Sequence, residues 1–166
     1  MSEKDAHALI EHASRFAEHA IKKYGVVTPI YHMITADGQN IVAPSPGRTK
    51  DEAVAMMRAL FELRDVVRYV YLDEAWILDR INSGPDAIPP GELERLKREG
   101  VSKHPDRVEV VMFSCEDRDA GQIMALREII RNGSGKPRLG PLRYTPRSGY
   151  TEGRMVGLLP VRGTRQ

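Results

Sequence analysis

Carboxylates are the side chains of this sequence best placed for chemistry. Asp73 and Glu74 stand inside the apolar run from Val66 to Leu78, and Asp79 follows it. Glu116, Asp117 and Asp119 close a second apolar run that begins at Arg107. A carboxylate in an apolar strand is costly unless it is paired, so each of these needs a reason to be there. If the two runs are neighbouring strands, Asp73, Glu74, Glu116 and Asp117 bring several oxygens together. Such a set would suit Mg²⁺ or Ca²⁺, hard cations that prefer oxygen ligands. It would equally suit two carboxylates exchanging a proton in acid–base hydrolysis. The structural alternative is weightier. Side chains alternate across a strand, so Asp73 and Glu74 face opposite ways. One of them then pairs with an arginine, and the 116–119 group decorates a turn. Glu74 and Trp76 share a strand face and would form one wall of any site there.

The second candidate is basic. Arg127, Arg131, Lys136, Arg138, Arg143, Arg147, Arg154, Arg162 and Arg165 accumulate late in the chain, with Tyr144 and Tyr150 among them. On a sheet face they would hold a phosphate backbone while the aromatic rings stack bases. Lys and Arg on solvated strands also guard sheet edges against aggregation, and no recognised nucleic-acid motif accompanies these.

Other chemistries are excluded by spacing. The histidines (His7, His12, His19, His32, His104) form no H-E-x-x-H pair. His12 and His19 lie two helical turns apart, about 10 Å by rise, too far to grip one metal. Gly133-Ser134-Gly135-Lys136 resembles the end of a phosphate-binding loop, but Ile130 stands where its first glycine belongs and Pro137 where its Ser/Thr belongs. It reads as a turn. No G-x-S-x-G or G-x-G-x-x-G occurs. Cys115 is the sole cysteine, so no internal disulfide forms, and the chain fits a reducing, cytoplasmic compartment. Glu116 and Asp117 beside it raise a thiol pKa, the wrong direction for a nucleophile.

The elements that position these residues follow from periodicity. Residues 3–24 carry Leu9, Phe16 and Ile21 on one helical face, and Gly25 stops the helix. Residues 26–43 read as a β-hairpin turning at Asp37-Gly38, with Pro29 suiting an edge strand or a strand start. Thr49 to Glu52 is a capping box opening a second helix whose buried stripe is Ala53, Met56, Met57, Leu60 and Phe61. Residues 66–78 and 107–114 are strands, separated by an excursion at 79–106 with a short helix from Glu92 to Glu99. Residues 122–131 fit either a helix capped by Asp119 or the return strand of a hairpin. The strand is favoured because successive hairpins are the simpler topology. Further β-like runs cover 139–144 and 154–159, and 161–166 reads as a frayed tail.

With 166 residues, 41% apolar and 29% charged, this is the composition of one globular domain. A net charge of +2 predicts neither nucleic acid nor membrane, and no segment reaches the roughly 18 apolar residues of a span. The expected fold class is α+β: N-terminal helix, β-hairpin, second helix, then a mostly antiparallel sheet, with both helices packed on one face. The expected core is Leu9, Phe16, Ile21, Met57, Leu60, Phe61, Val70, Leu72, Val110 and Met112.

Three stretches carry a resemblance: Tyr71-Leu72-Asp73-Glu74-Ala75-Trp76, His104-Pro105-Asp106-Arg107-Val108-Glu109-Val110 and Glu116-Asp117-Arg118-Asp119. In these the chain, over about residues 26–160, resembles a family of small hypothetical proteins of bacterial and phage genomes. The resemblance implies no activity and carries over no catalytic residue. Three functions are therefore expected in order. The first is a non-catalytic binding or accessory protein, working as a homo-oligomer through a sheet edge or with a protein partner. The second is a divalent-metal hydrolase on the carboxylates, with Mg²⁺ or Ca²⁺ as cofactor. The third is a nucleic-acid binder on the basic strands.

Overall fold

The computed structural model describes residues 2–78, 89–133, 135–145 and 157–160. Asp79, the first part of the excursion, Arg147, Tyr150, Arg154, Arg162, Arg165 and the 161–166 tail lie outside the described residues. The α+β expectation holds, with three α-helices and an antiparallel seven-stranded sheet. No helix among the described residues is long and apolar enough to cross a membrane.

Helix α1 (Ser2–Tyr24) ends where Gly25 takes φ +77° and its N–H bonds Ile21 O. Strands β1 (Ile30–Thr35) and β2 (Asn40–Pro44) form the expected hairpin, with Gly38 at φ +83° in the turn. At the start of α2 (Lys50–Leu63) the Thr49 hydroxyl accepts the Glu52 N–H. The Glu52 carboxylate accepts from Arg48 N–H at 2.7 Å, one residue before the expected reciprocal partner. Strand β3 (Val66–Leu78) leads out to α3 (Pro90–Glu99), which Gly100 stops as expected. Then come β4 (Arg107–Asp117), β5 (Gly121–Ile130), β6 (Arg138–Leu139) and β7 (Arg143–Tyr144). Residues 121–130 are thus the return strand, not a helix: Phe113 faces Ala125 and Cys115 faces Ile123 across the pair. The late runs are shorter than expected. Residues 138–144 make two two-residue strands split at Gly140-Pro141, and 157–160 form no strand.

The sheet order is β2-β1-β3-β4-β5-β6, with β7 also on the outer side of β5. The helices do not share a face, which corrects the expectation. α1 packs its Leu9, Ile10, Ala13 and Ile21 on Val70, Leu72, Phe113 and Cys115. α2 packs Met57 and Phe61 on Tyr31, Met33, Tyr69 and Tyr71, with Leu158 and Leu159 closing that side. These are alternate residues of β1, β3 and β4, hence opposite faces. A sheet covered on both sides explains why β3 and β4 read as near-continuous apolar runs instead of alternating.

Most of the expected core is buried, with Leu60 and Met112 only partly so. Two stripe residues are corrected. Phe16 is 37% exposed on the flank of α1, and Met56 is 52% exposed on the outer side of α2. The stripe that α2 buries is narrower, Ala53, Met57 and Phe61, the i, i+4, i+8 row of one face.

Candidate functional site

The strands carrying the carboxylates are indeed neighbours, but their register keeps the carboxylates apart. Asp73 lies opposite Met112, Glu74 opposite Val111, Glu116 opposite Tyr69 and Asp117 opposite Arg68. Asp73 and Glu116 share the α2 face, four residue pairs apart, or roughly 13 Å along the strands. Glu74 and Asp117 face α1, six pairs apart. Each is committed locally. Glu74 accepts the Val27 N–H at 2.7 Å and so anchors the segment between α1 and β1. Glu116 accepts the Tyr69 hydroxyl at 2.7 Å and the Leu158 N–H at 3.0 Å. Asp117 meets Arg68 at 2.6 Å and accepts the N–H groups of Asp119 and Ala120. The arginine pairing expected for Asp73 or Glu74 thus falls to Asp117, which is buried and also holds the expected turn through the Asp119 and Ala120 N–H groups. No cluster of three or more His, Cys, Asp or Glu able to hold a metal occurs among the described residues.

Of these four carboxylates, Asp73 lines a cleft. About 390 Å³ opens between it, Tyr71, Ser45, Arg48 and Lys50 at the start of α2. Burial raises its pKa, while the Tyr71 hydroxyl (3.1 Å), the Glu74 N–H (2.8 Å) and the charge of Lys50 pull the other way. Those bonds hold a single carboxylate in place, with no second one to trade a proton. A cavity of about 440 Å³ beside α3 contains His104. Asp106 N–H donates to its Nδ1 at 3.0 Å, so Nε2 carries the proton given to Glu92 at 2.7 Å. Both ring nitrogens are occupied, which leaves no free base.

The basic residues are largely consumed by the fold. Arg127 is mostly buried and donates to Gly140 O (2.6 Å) and Ser14 Oγ (3.2 Å), with Glu18 at 3.5 Å. Arg131 grips Glu109 through two bonds of 2.7 and 2.8 Å. Lys136 caps the end of α1, donating to the carbonyls of Lys22 and Lys23. Arg138 is exposed and Arg143 half-buried. Trp76 is 42% exposed, but the Arg107 guanidinium sits 5.0 Å over its ring. Cys115 is buried, and burial first, then Asp117, pushes its thiol up to about 12.

The surface left open is at the other side of the sheet. α1 lies over β3 and β4 (its buried stripe covers Val70, Leu72, Val111 and Phe113) and its His12 and Phe16 reach His32 of β1, while Val42 of β2 stays half exposed. A groove of about 470 Å³ remains there, lined by Asp5, Leu9, His12, Ile34, Asn40 and Arg68. Phe16 and Val42, 51% exposed, stand at this side of the fold. Behind them His32 is 2% exposed between the rings of His12 and Phe16, with no partner for either ring nitrogen. Burial, then the charge of His12, lowers its pKa to about 4.

Strand β2 itself is an edge. Thr35 N–H bonds Gln39 O and Ser45 N–H bonds Pro29 O, which fixes the phase of the hairpin ladder. In an antiparallel pair, hydrogen-bonded positions alternate. Gln39, Ile41, Ala43 and Ser45 therefore turn their backbone groups toward β1. Asn40, Val42 and Pro44 turn theirs outward, where no described strand pairs with them. Pro44 has no N–H, so the free donors are those of Asn40 and Val42.

No protein-family model, curated protein or solved structure matches this chain.

The sequence pointed to none of this surface residue by residue. A signal was Pro44 directly after Ile41-Val42-Ala43, since proline is confined to edge strands and strand ends. His32 escaped notice because a lone histidine between apolar neighbours has no spacing to read.

Proposed function

We propose that this chain is a non-catalytic binding or accessory protein that works by protein contact at the open side of its sheet, the β2 edge and the groove between α1 and β1–β2. One observation carries this reading. β2 presents outward N–H groups on an uncharged strand, Asn40-Ile41-Val42-Ala43-Pro44, with Val42 half exposed beside it. Exposed edges invite strand addition, and proteins ordinarily blunt them with charge, bulges or a covering segment. A buried, inert Cys115 fits a reducing compartment such as the cytoplasm.

The hydrolase and nucleic-acid readings have no comparable observation in their favour, since the four carboxylates lie apart and Arg127, Arg131 and Lys136 are engaged within the fold. A thermal-shift panel tests the choice. Mg²⁺, Mn²⁺, Ca²⁺ and short single- and double-stranded oligonucleotides are expected to leave the melting point unchanged. A ligand at 100 times its Kd stabilises a folded protein by about 2.7 kcal/mol, which such a panel reads easily. A metal shift abolished by Glu74→Gln, or an oligonucleotide shift lost at high salt, would replace this reading.

A further inference from the structure

We infer that the partner of the β2 edge is a second copy of this chain, paired β2 to β2 antiparallel about a two-fold axis at Val42. This deepens the proposed function and rests on it.

A two-fold interface must be self-complementary, and the β2 edge meets that condition. Only Asn40, Val42 and Pro44 have outward backbone groups. Placing Val42 opposite its mate makes that pair a hydrogen-bonded one, each N–H donating to the other C=O. Two residues on, Asn40 of each copy meets Pro44 of the other, and each Asn40 N–H donates to that Pro44 C=O. All four outward donors of the two strands are then satisfied. The donor missing from Pro44 leaves only an Asn40 carbonyl, whose second-best partner is water.

The side chains match in the same register. On the α1 face Val42 covers Val42, and on the other face Ile41 meets Ala43. No charged residue lies on the strand, so pairing a copy brings no like charges together. At the flanks, an antiparallel copy sets Asp37 at one end toward Arg48 at the other end of its mate. The Asp37 carboxylate is exposed and also feels Arg64, so this attraction adds little and serves mainly to favour the antiparallel direction. The axis runs perpendicular to the sheet, which keeps both α1 helices on one side. The two grooves then lie next to each other on a continuous sheet.

Five residues per strand make a small interface, the size class of weak or transient association. The dimer is therefore expected to be weak and concentration-dependent.

Sedimentation velocity from 5 to 500 µM, with hydrogen exchange read at single amides, tests this. The expected result is a rise from monomer to dimer mass, with the Asn40 and Val42 amides becoming protected over the same range. Val42→Lys, which sets two like charges face to face, should abolish both changes while leaving the melting point of the dilute protein within a degree or two. Val42→Cys gives a second readout. Opposed hydrogen-bonded residues have Cα atoms about 5.5 Å apart, within disulfide range. Mild oxidation should therefore yield a reducible covalent dimer, faster than Asn40→Cys does. A monomer throughout, with both amides exchanging freely, overturns the inference, as does equal crosslinking of the two cysteine variants. Neither result touches the binding reading, which falls instead to a metal or oligonucleotide shift in the thermal panel.

Discussion

The two edges of the sheet are built on opposite plans. At the β5 edge the chain doubles back and covers itself. Gly140 N–H bonds Glu128 O at 2.8 Å, Thr145 N–H bonds Met124 O at 2.9 Å, and two two-residue strands fill the rest. Pro137, Pro141, Arg138 and Arg143 stand along this covering segment, residues that discourage any further strand. Arg127 pins it from beneath, bonding Gly140 O on one side and α1 on the other. At the β2 edge nothing described doubles back, the strand is uncharged, and the helix above stops short of it. Of the late basic residues, which as a string suggest a binding surface, Arg127 holds the segment that closes one edge, and the β2 edge has no such arginine.

The largest test breaks the closed edge. Arg127→Ala removes a mostly buried guanidinium that bonds β5's neighbour and α1 together, and it should cost about 3 kcal/mol in urea unfolding. A loss below about 1 kcal/mol would mean the segment closes without it.

The next test probes the open side through pH. His32 is neutral in the fold with a pKa of about 4, against 6.5 for a free imidazole. Protons then bind the unfolded chain preferentially between those values. The contribution of His32 is complete above about pH 6.5 and lost as pH falls toward 4, at most about 3 kcal/mol. His32→Phe should flatten that slope, and an unchanged slope would show that other groups set the acid limit.

Smaller still is Lys136→Ala. It strips a cation from the carbonyls at the end of α1, within the reach of the helix dipole, and should cost about 0.3–1 kcal/mol. Least of all is Val42→Thr in the monomer, expected within about 0.5 kcal/mol of wild type because the side chain is half in water. If Val42→Thr instead destabilises the dilute monomer strongly, the edge is already covered, and the contrast between the two edges fails.

Much of the fold could be read without coordinates, for local reasons. The glycines after α1 and α3, the Asp37-Gly38 turn and the Thr49 cap are short-range features, written within four residues. The choice of strand for 121–130 followed from chain economy. The face that each helix covers was not legible, because β1, β3 and β4 are apolar on both sides and the sequence does not label them. Which carboxylate takes the arginine was not legible for a related reason. Adjacency of β3 and β4 was foreseeable, but only the register, which sets Asp73 against Met112 and Asp117 against Arg68, decides whether oxygens converge. Val42 looked like any hairpin valine, since exposure at an edge depends on how far α1 reaches over the sheet.

The pair Leu158 and Leu159 has a consequence for how this chain comes into being. They fill the α2 side against Tyr31, Met33 and Phe61, and Leu158 N–H is held by Glu116. The α1 side, by contrast, has all its buried members among the described residues by Leu139. During synthesis from the N-terminus, the described members of one half of the interior are therefore made while the other still waits for Leu158 and Leu159. A nascent chain halted near residue 145 would carry Tyr31, Phe61 and Tyr69 without their cover, and that stretch of its life is when a chaperone would find it.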